Sequence, residues 1–286
     1  MSPSGNLPCA WCEGARPGHG PPFLDLSPRA DWMGTIFQPP MADAPSSHPI
    51  WTIPGVTLFS TTQDPMRCVD LGVTAHFVGS CLWTLVYDGR LPGNAEARMG
   101  ALWIRIHALY GDADVSTRLS SLPISFFCDP TRPHMSYPCM TTKAAENRSL
   151  LPMVAQLCRE FGEGSPRDNA RVRAAEALEA VYTILRDAGH FLKPEEHAAL
   201  VEACFRFTDA YSRLSADAAR RGVLCWNVVN KVHMLIHLAL CARYLNPNST
   251  WAYPFRGFGR ADEARCGREH EWIAHASAPE YDLLEV

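Results

Sequence analysis

Val69-Asp70-Leu71-Gly72-Val73-Thr74-Ala75-His76-Phe77-Val78-Gly79-Ser80-Cys81-Leu82-Trp83-Thr84-Leu85-Val86 is the stretch on which the fold reading turns. Val69, Val73, Phe77, Cys81 and Leu85 recur every fourth residue, with Val78, Leu82 and Val86 beside them. Apolar positions three and four apart share one face of a helix, so the pattern predicts a core-facing helix from Val69 onward. Downstream, a second helix is expected over Ala95–Tyr110, ended by Gly111-Asp112. A short β-like patch, Ile124 to Phe127, leads into a loop rich in Pro, His and Cys that runs through Cys139.

Three or four further helices are expected after that loop. Ser165-Pro166-Arg167-Asp168 is a helix start: Ser165 can cap, Pro166 suits the first helical position and Asp168 favours the positive end of the dipole. Leu178, Val181, Tyr182 and Leu185 share a face of this helix, which Gly189 stops. Pro194-Glu195-Glu196 opens the next, with a stripe of Leu200, Cys204, Phe207, Tyr211 and Leu214 and a stop at Gly222. A last helix is expected from about Asn227 to Leu245, stopped by Asn246-Pro247. Upstream, residues 1–55 hold clustered prolines and glycines, read as a loop-rich arm. The fold class is therefore mainly α with little sheet.

Hydrophobic residues at 47% are enough for a buried core. Net charge is -4, so the basic surplus of a domain that wraps DNA is absent, and any nucleic-acid role needs a local patch. Eleven cysteines, irregularly spaced, and an N-terminus that is Pro/Gly-rich rather than basic then apolar favour free thiols and an intracellular protein. The longest membrane-span candidate, Val228 to Tyr244, carries Lys231, His233, His237 and Arg243, so no membrane partner is expected.

Cys9-Ala10-Trp11-Cys12 is a CxxC, a spacing at which two thiolates can share one zinc ion. A closed site needs four ligands, and Cys128, His134 and Cys139 are the other possible donors. Inert thiols are the expected reading, with zinc at Cys9 and Cys12 as the alternative. His233 and His237 stand one helical turn apart, a metal-binding spacing. Met234 occupies the position of a catalytic base, and no third ligand is evident, so a partly buried structural pair is expected. Glu195, Glu196 and Glu202 read as charges that complement the helix dipole. No Gly-rich phosphate loop and no G-x-S-x-G elbow is present.

Several segments, in consistent order over roughly residues 9–255, resemble DDE transposases of the CACTA/En-Spm type, especially the Plavaka-like branch. Asp64-Pro65-Met66-Arg67, continued by Leu71-Gly72-Val73 and His76-Phe77, resembles the family's Asp-Pro-Met-His helix opening. Lys231-Val232-His233-Met234-Leu235-Ile236-His237-Leu238 is similar to its Lys-Val-His-x-Leu-x-His helix. Trp251-Ala252-Tyr253-Pro254-Phe255 is similar to a segment that precedes a Glu, and Cys9-x-Trp-Cys12 with Asp25, Ala30 and Trp32 resembles the segment before the core. The resemblance implies the helical insertion of an RNase H-like fold. It also implies a chemistry in which two aspartates and a late glutamate hold two Mg²⁺ ions for phosphodiester attack.

The chain departs from that pattern. The first two catalytic aspartates are expected upstream of Met1. Arg67 stands at the family's histidine and Arg256 at its glutamate, where a cation repels metal. Asp64 remains, equally readable as a helix cap ahead of Pro65. A one-base frameshift before residue 256 would restore a family-like Glu-Asp, so residues 256–286 are expected to be irregular or out of frame. The expected organisation is an arm over 1–55, a helical transposase-like domain over 56–255 and that tail. The expected function is a catalytically inactive transposase remnant needing no cofactor, with DNA as the partner and the nucleus as the location the resemblance implies. The alternative is a domesticated helical module that binds DNA or protein.

Overall fold

The computed structural model describes residues 9, 11–16, 18–36, 54, 63–88, 91–112, 115 and 117–251. The expected tail, Arg256 and most of the second half of the arm lie outside the described residues. Residues Met1–Thr250 form one compact unit and Trp251–Val286 a second, of which only Trp251 is described.

Among the described residues the fold is helical, and its one β feature is an isolated parallel bridge between Ala15 and Pro22. A π-helical segment, Met66–Thr74, runs straight into helix α1 (Ala75–Tyr87). Helices α2 (Ala95–Asp112), α3 (Ala144–Glu160), α4 (Pro166–Asp187), α5 (Pro194–Arg220) and α6 (Asn230–Cys241) follow. Within Ile124–Phe127, expected as a β-like patch, Ile124–Phe126 is a single 3₁₀ turn after Pro123. It is too short and too isolated to find a pairing strand, so its apolar residues enter the core from a turn instead.

The sequence around Val69–Val86 builds the centre of the molecule. Every α1 position from Phe77 to Val86 is buried, as in a helix surrounded by others. The helix Met66–Tyr87 is long and apolar enough to cross a membrane, and 89% of the window is buried inside the fold, as in a soluble core helix. This corrects the choice of Val228–Tyr244 as the longest apolar candidate: the glycines and polar residues of 70–80 interrupt the run in sequence but not in burial.

The π geometry accompanies contacts from two distant helices. Asn147 on α3 donates to the carbonyl of Asp70 at 3.3 Å, and Lys231 on α6 donates to the carbonyl of Leu71 at 3.1 Å. Side chains that claim backbone carbonyls open the ordinary ladder, and a wider turn accommodates them. Gly72 permits the approach, since a Cβ there would lie 2.4 Å from Cδ of Lys231.

Caps hold the helix ends, among them the Ser165 start and the Gly222 stop that the sequence predicts. Ser165 Oγ accepts from the amide of Asp168 at 3.1 Å, and Glu146 and Glu196 reach back to the amides of Lys143 and Lys193, each at 2.8 Å. Gly222, with φ of 66°, closes the turn after α5. Asn246, beyond α6, donates to the carbonyls of Leu185 and Gly189 and so satisfies the end of α4.

Candidate metal centre

The first described residues of the chain meet its last helix. Val232, Leu235, Ile236 and Ala239 anchor α6 in the core. His233 and His237, one turn apart, then lie on one side of it. Residues 9–36 wrap over that side, held by Trp32, which is fully buried and donates from Nε1 to the carbonyl of Asp25 at 2.6 Å.

Cys9, Cys12, His233 and His237 converge, with one donor atom from each lying within 4.8 Å of all the others. Cys9 Sγ is 3.4 Å from His237 Nε2, Cys12 Sγ is 3.4 Å from His233 Nε2, and the two Nε2 atoms are 3.0 Å apart. A tetrahedron with Zn–S bonds of about 2.3 Å and Zn–N bonds of about 2.0–2.1 Å has edges of roughly 3.3–3.8 Å. The cluster therefore has the size, donor set and count to hold a metal ion such as zinc.

The surroundings fit the same occupant. The amide of Trp11 donates to Cys9 Sγ and that of Gly14 to Cys12 Sγ, both at 3.3 Å, which stabilises thiolate charge. His233 Nδ1 lies 2.9 Å from the carbonyl of Phe23, so Nδ1 carries the proton and Nε2 is left to face the centre. Trp32 packs at a tilt against both imidazoles, with ring centroids 4.1 Å from His233 and 5.3 Å from His237. A Cβ on Gly14 would lie 3.1 Å from Cys12 Sγ and 3.2 Å from the His233 ring, so the loop closes tightly around this glycine. Cys9, His233 and His237 are buried, and four protein donors leave no open position, the pattern of a structural rather than a catalytic site.

Protonation follows the geometry. The hydrogen bond from Cys12 holds the Cys9 thiol far below its usual range, with bonds to His233 and His237 adding to the shift. The same contact with Cys9 pushes Cys12 up, and burial pushes it further. Burial also lowers His237, which favours the neutral imidazole that a metal requires.

Cys128, His134 and Cys139 supply none of the ligands. His134 packs edge-on against Trp83 and Tyr87 instead, and Cys139 approaches Gly79. Asp64 belongs to no metal-holding group among the described residues. Its Oδ1 accepts from the amide of Met66 at 3.0 Å, the capping role its position before Pro65 predicts, and its other oxygen lies 3.7 Å from Nε of Arg67. Trp251 is half-buried.

The two histidines, expected as a structural pair, are the partners the CxxC lacked in the sequence reading. Their spacing and that of the cysteines were each visible; the separation of 221 positions between Cys12 and His233 concealed that they belong together. Gly14, the Phe23 carbonyl and the packing of Trp32 carried no local signal. Comparison with protein families, with curated proteins and with solved structures returned no match.

Proposed function

We propose that this chain is a zinc-stapled helical module without catalytic activity, a remnant of a cut-and-paste DNA transposase of the CACTA/En-Spm type. The observation that carries the zinc reading is the closure of Cys9, Cys12, His233 and His237 into one buried four-donor cluster. In this role the ion joins the arm to α6 and does no chemistry.

The lineage is supported by the packing of the segments that carry the resemblance. Trp32 lies on His233 and His237, Lys231 reaches Leu71, Cys68 Sγ lies 3.6 Å from the Lys231 carbonyl, and Gln63 lies 2.9 Å from Met234 Sδ. Absence of catalysis is supported by Arg67 and Arg256 at positions where the family chemistry needs a histidine and a glutamate. Asp64 alone gives too few oxygen ligands for a two-metal centre.

Metal analysis of purified protein tests the zinc reading: about one zinc per chain is expected. Cys12→Ser or His237→Ala abolishes stoichiometric binding, and cobalt substitution gives the spectrum of a tetrahedral S₂N₂ site. Zinc-free protein that stays folded and takes up no cobalt would overturn it. Plasmid cleavage with Mg²⁺ or Mn²⁺ is expected to be absent; cleavage that Asp64→Ala removes would overturn the inactive reading.

A second reading, a helical module that binds a partner, is favoured by the distribution of arginine on α4 and α5.

A further inference from the structure

Between α4 and α5 lies a groove of about 610 Å³. Its floor includes Ala170, Ala210 and Leu214, all buried. Arg167 and Arg173 stand on the α4 wall, and Arg206, Arg213 and Arg220 on the α5 wall, with Asp209 and Asp217 between them. Five arginines against two aspartates give a positive groove in a chain whose net charge is -4. No lysine lines it.

The α5 wall has a period. Arg206, Asp209, Arg213, Asp217 and Arg220 advance by three and four residues along one helical face. The three arginines recur every seventh residue, about 10.5 Å apart, and span about 21 Å. Asp209 lies 3.0 Å from Arg213, Asp217 lies 3.4 Å from Arg220, and Asp88 lies 3.1 Å from Arg167. Arg173 and Arg206, exposed on opposite walls, have no ion pair or hydrogen bond among the described residues. An alternating charge stripe on one helix is ordinarily a solvated face. Here two helices contribute, the stripe borders an apolar floor, and positive charge is left over.

We propose that this groove docks an acidic amphipathic helix of a partner protein. The partner's apolar stripe lies over Pro166 and Ala216, which are exposed at the rim, and the aliphatic stems of the groove's arginines, above the buried floor; carboxylates at seven-residue intervals meet Arg206 and Arg213, with a further one on Arg173. Guanidinium forks suit carboxylates in two-point contact. A helix of about 15 residues is about 22 Å long and matches the length of the stripe. A phosphodiester backbone fits less well: it carries charge at every unit, so Asp209 and Asp217 repel it, and it makes no use of the apolar rim. A peptide helix can place neutral or basic residues opposite the two aspartates. The proposal goes beyond the zinc reading and does not depend on it.

The test uses the full chain and a fluorescent synthetic helix of about 15 residues with Glu at every seventh position and an adjoining Leu/Ala stripe. Its comparators are a scrambled peptide of the same composition and a single-stranded oligonucleotide of matched charge. Anisotropy is expected to show saturable binding of the periodic peptide that weakens about tenfold between about 50 mM and 500 mM salt. Arg173→Glu and Arg206→Glu each weaken it by about tenfold or more. Arg186→Glu, outside the groove, leaves it unchanged, and all three variants keep the parent's melting temperature and metal content. Absence of binding, equal binding of the scrambled peptide, or groove variants without effect would overturn the proposal. So would tighter binding of the oligonucleotide that Arg206→Glu abolishes. Metal content of the parent protein, read separately, reports on the zinc reading.

Discussion

Arg171 is fully buried on α4, and its guanidinium pairs with Asp168, itself 2% exposed. Nε and Nη1 of Arg171 have no hydrogen-bond partner among the described residues, so the aspartate bears most of the compensation. Asp168 also accepts from Ser165 Oγ and from the amide of Glu163, which ties the charge to the helix start. Asp168→Ala is expected to destabilise the fold by about 3–5 kcal/mol, because it leaves a buried cation alone. Asp168→Leu with Arg171→Met should recover most of that loss in urea unfolding, since an apolar pair of similar volume removes both desolvation penalties. Equal loss in the single and double variants would refute the account. The cap formed by Ser165 and Asp168 was legible in the sequence. The burial of Arg171 was not, because an arginine one turn into a helix is expected at the surface. His233 and His237 are a similar case: their spacing was plain, and their ligand-like placement depended on residues more than two hundred positions away.

Element by element, the sequence named most of the helices and missed how they touch. The strict four-residue period of Val69 to Leu85 runs behind the 3.6 residues of an α-helix. It suits a helix whose first part takes the wider π turn. The cause of that turn lies on α3 and α6, out of reach of a local reading. The α3 helix was not placed individually in the sequence, and Pro152 within it breaks the expected pattern. The last helix is shorter than expected, Asn230–Cys241, because Val229 is extended, its amide closes a tight turn onto the Asn227 carbonyl at 3.1 Å, and Trp226 takes a left-handed φ of 60°. Its indole is buried, 5.9 Å from the Phe77 ring, and its amide donates to Ser80 Oγ at 3.2 Å, so packing holds the strained backbone. On the opposite side of α1, Gly79 lets the loop backbone pass. A Cβ there would lie 3.0 Å from the backbone of Cys139, and Met140 donates to the Ala75 carbonyl at 3.0 Å. Gly79→Ala is expected to cost about 1–3 kcal/mol despite the better helix propensity of alanine, read as a lower urea midpoint. A stabilised variant would show that the loop can move away freely.

Across the whole molecule, the candidate metal cluster joins Cys9 to His237, 228 positions apart in sequence. The arm buries Leu26, Ala30 and Trp32 in the common core, and the four-donor centre fastens it at its outer end. If the proposed zinc ion is bound, with free zinc about a thousandfold above its dissociation constant, it is expected to contribute about 4 kcal/mol to the folded state. Stripping it with a chelator should lower the melting temperature by on the order of 10 °C. Protease sensitivity should rise first in residues 9–36, where fewer other contacts remain. An unchanged melting curve after verified removal of metal would refute a structural role. The arginine groove is a property of the same scale. Its two walls come from helices that the sequence predicted separately, and only their packing turns scattered charges into one surface.

The sequence by itself determined that the chain folds as a mainly helical protein, where most helices begin and stop, and which residue types could bind metal. Those properties are written in short-range patterns: apolar periods, caps, prolines and the two ligand spacings. Only the tertiary structure decided that Cys9 and Cys12 meet His233 and His237, that the start of the central helix is π, and that Arg173 faces a groove shared with Arg206. Each of these is a juxtaposition of distant segments, set by how buried faces pack, and no local pattern records which distant face will be the neighbour.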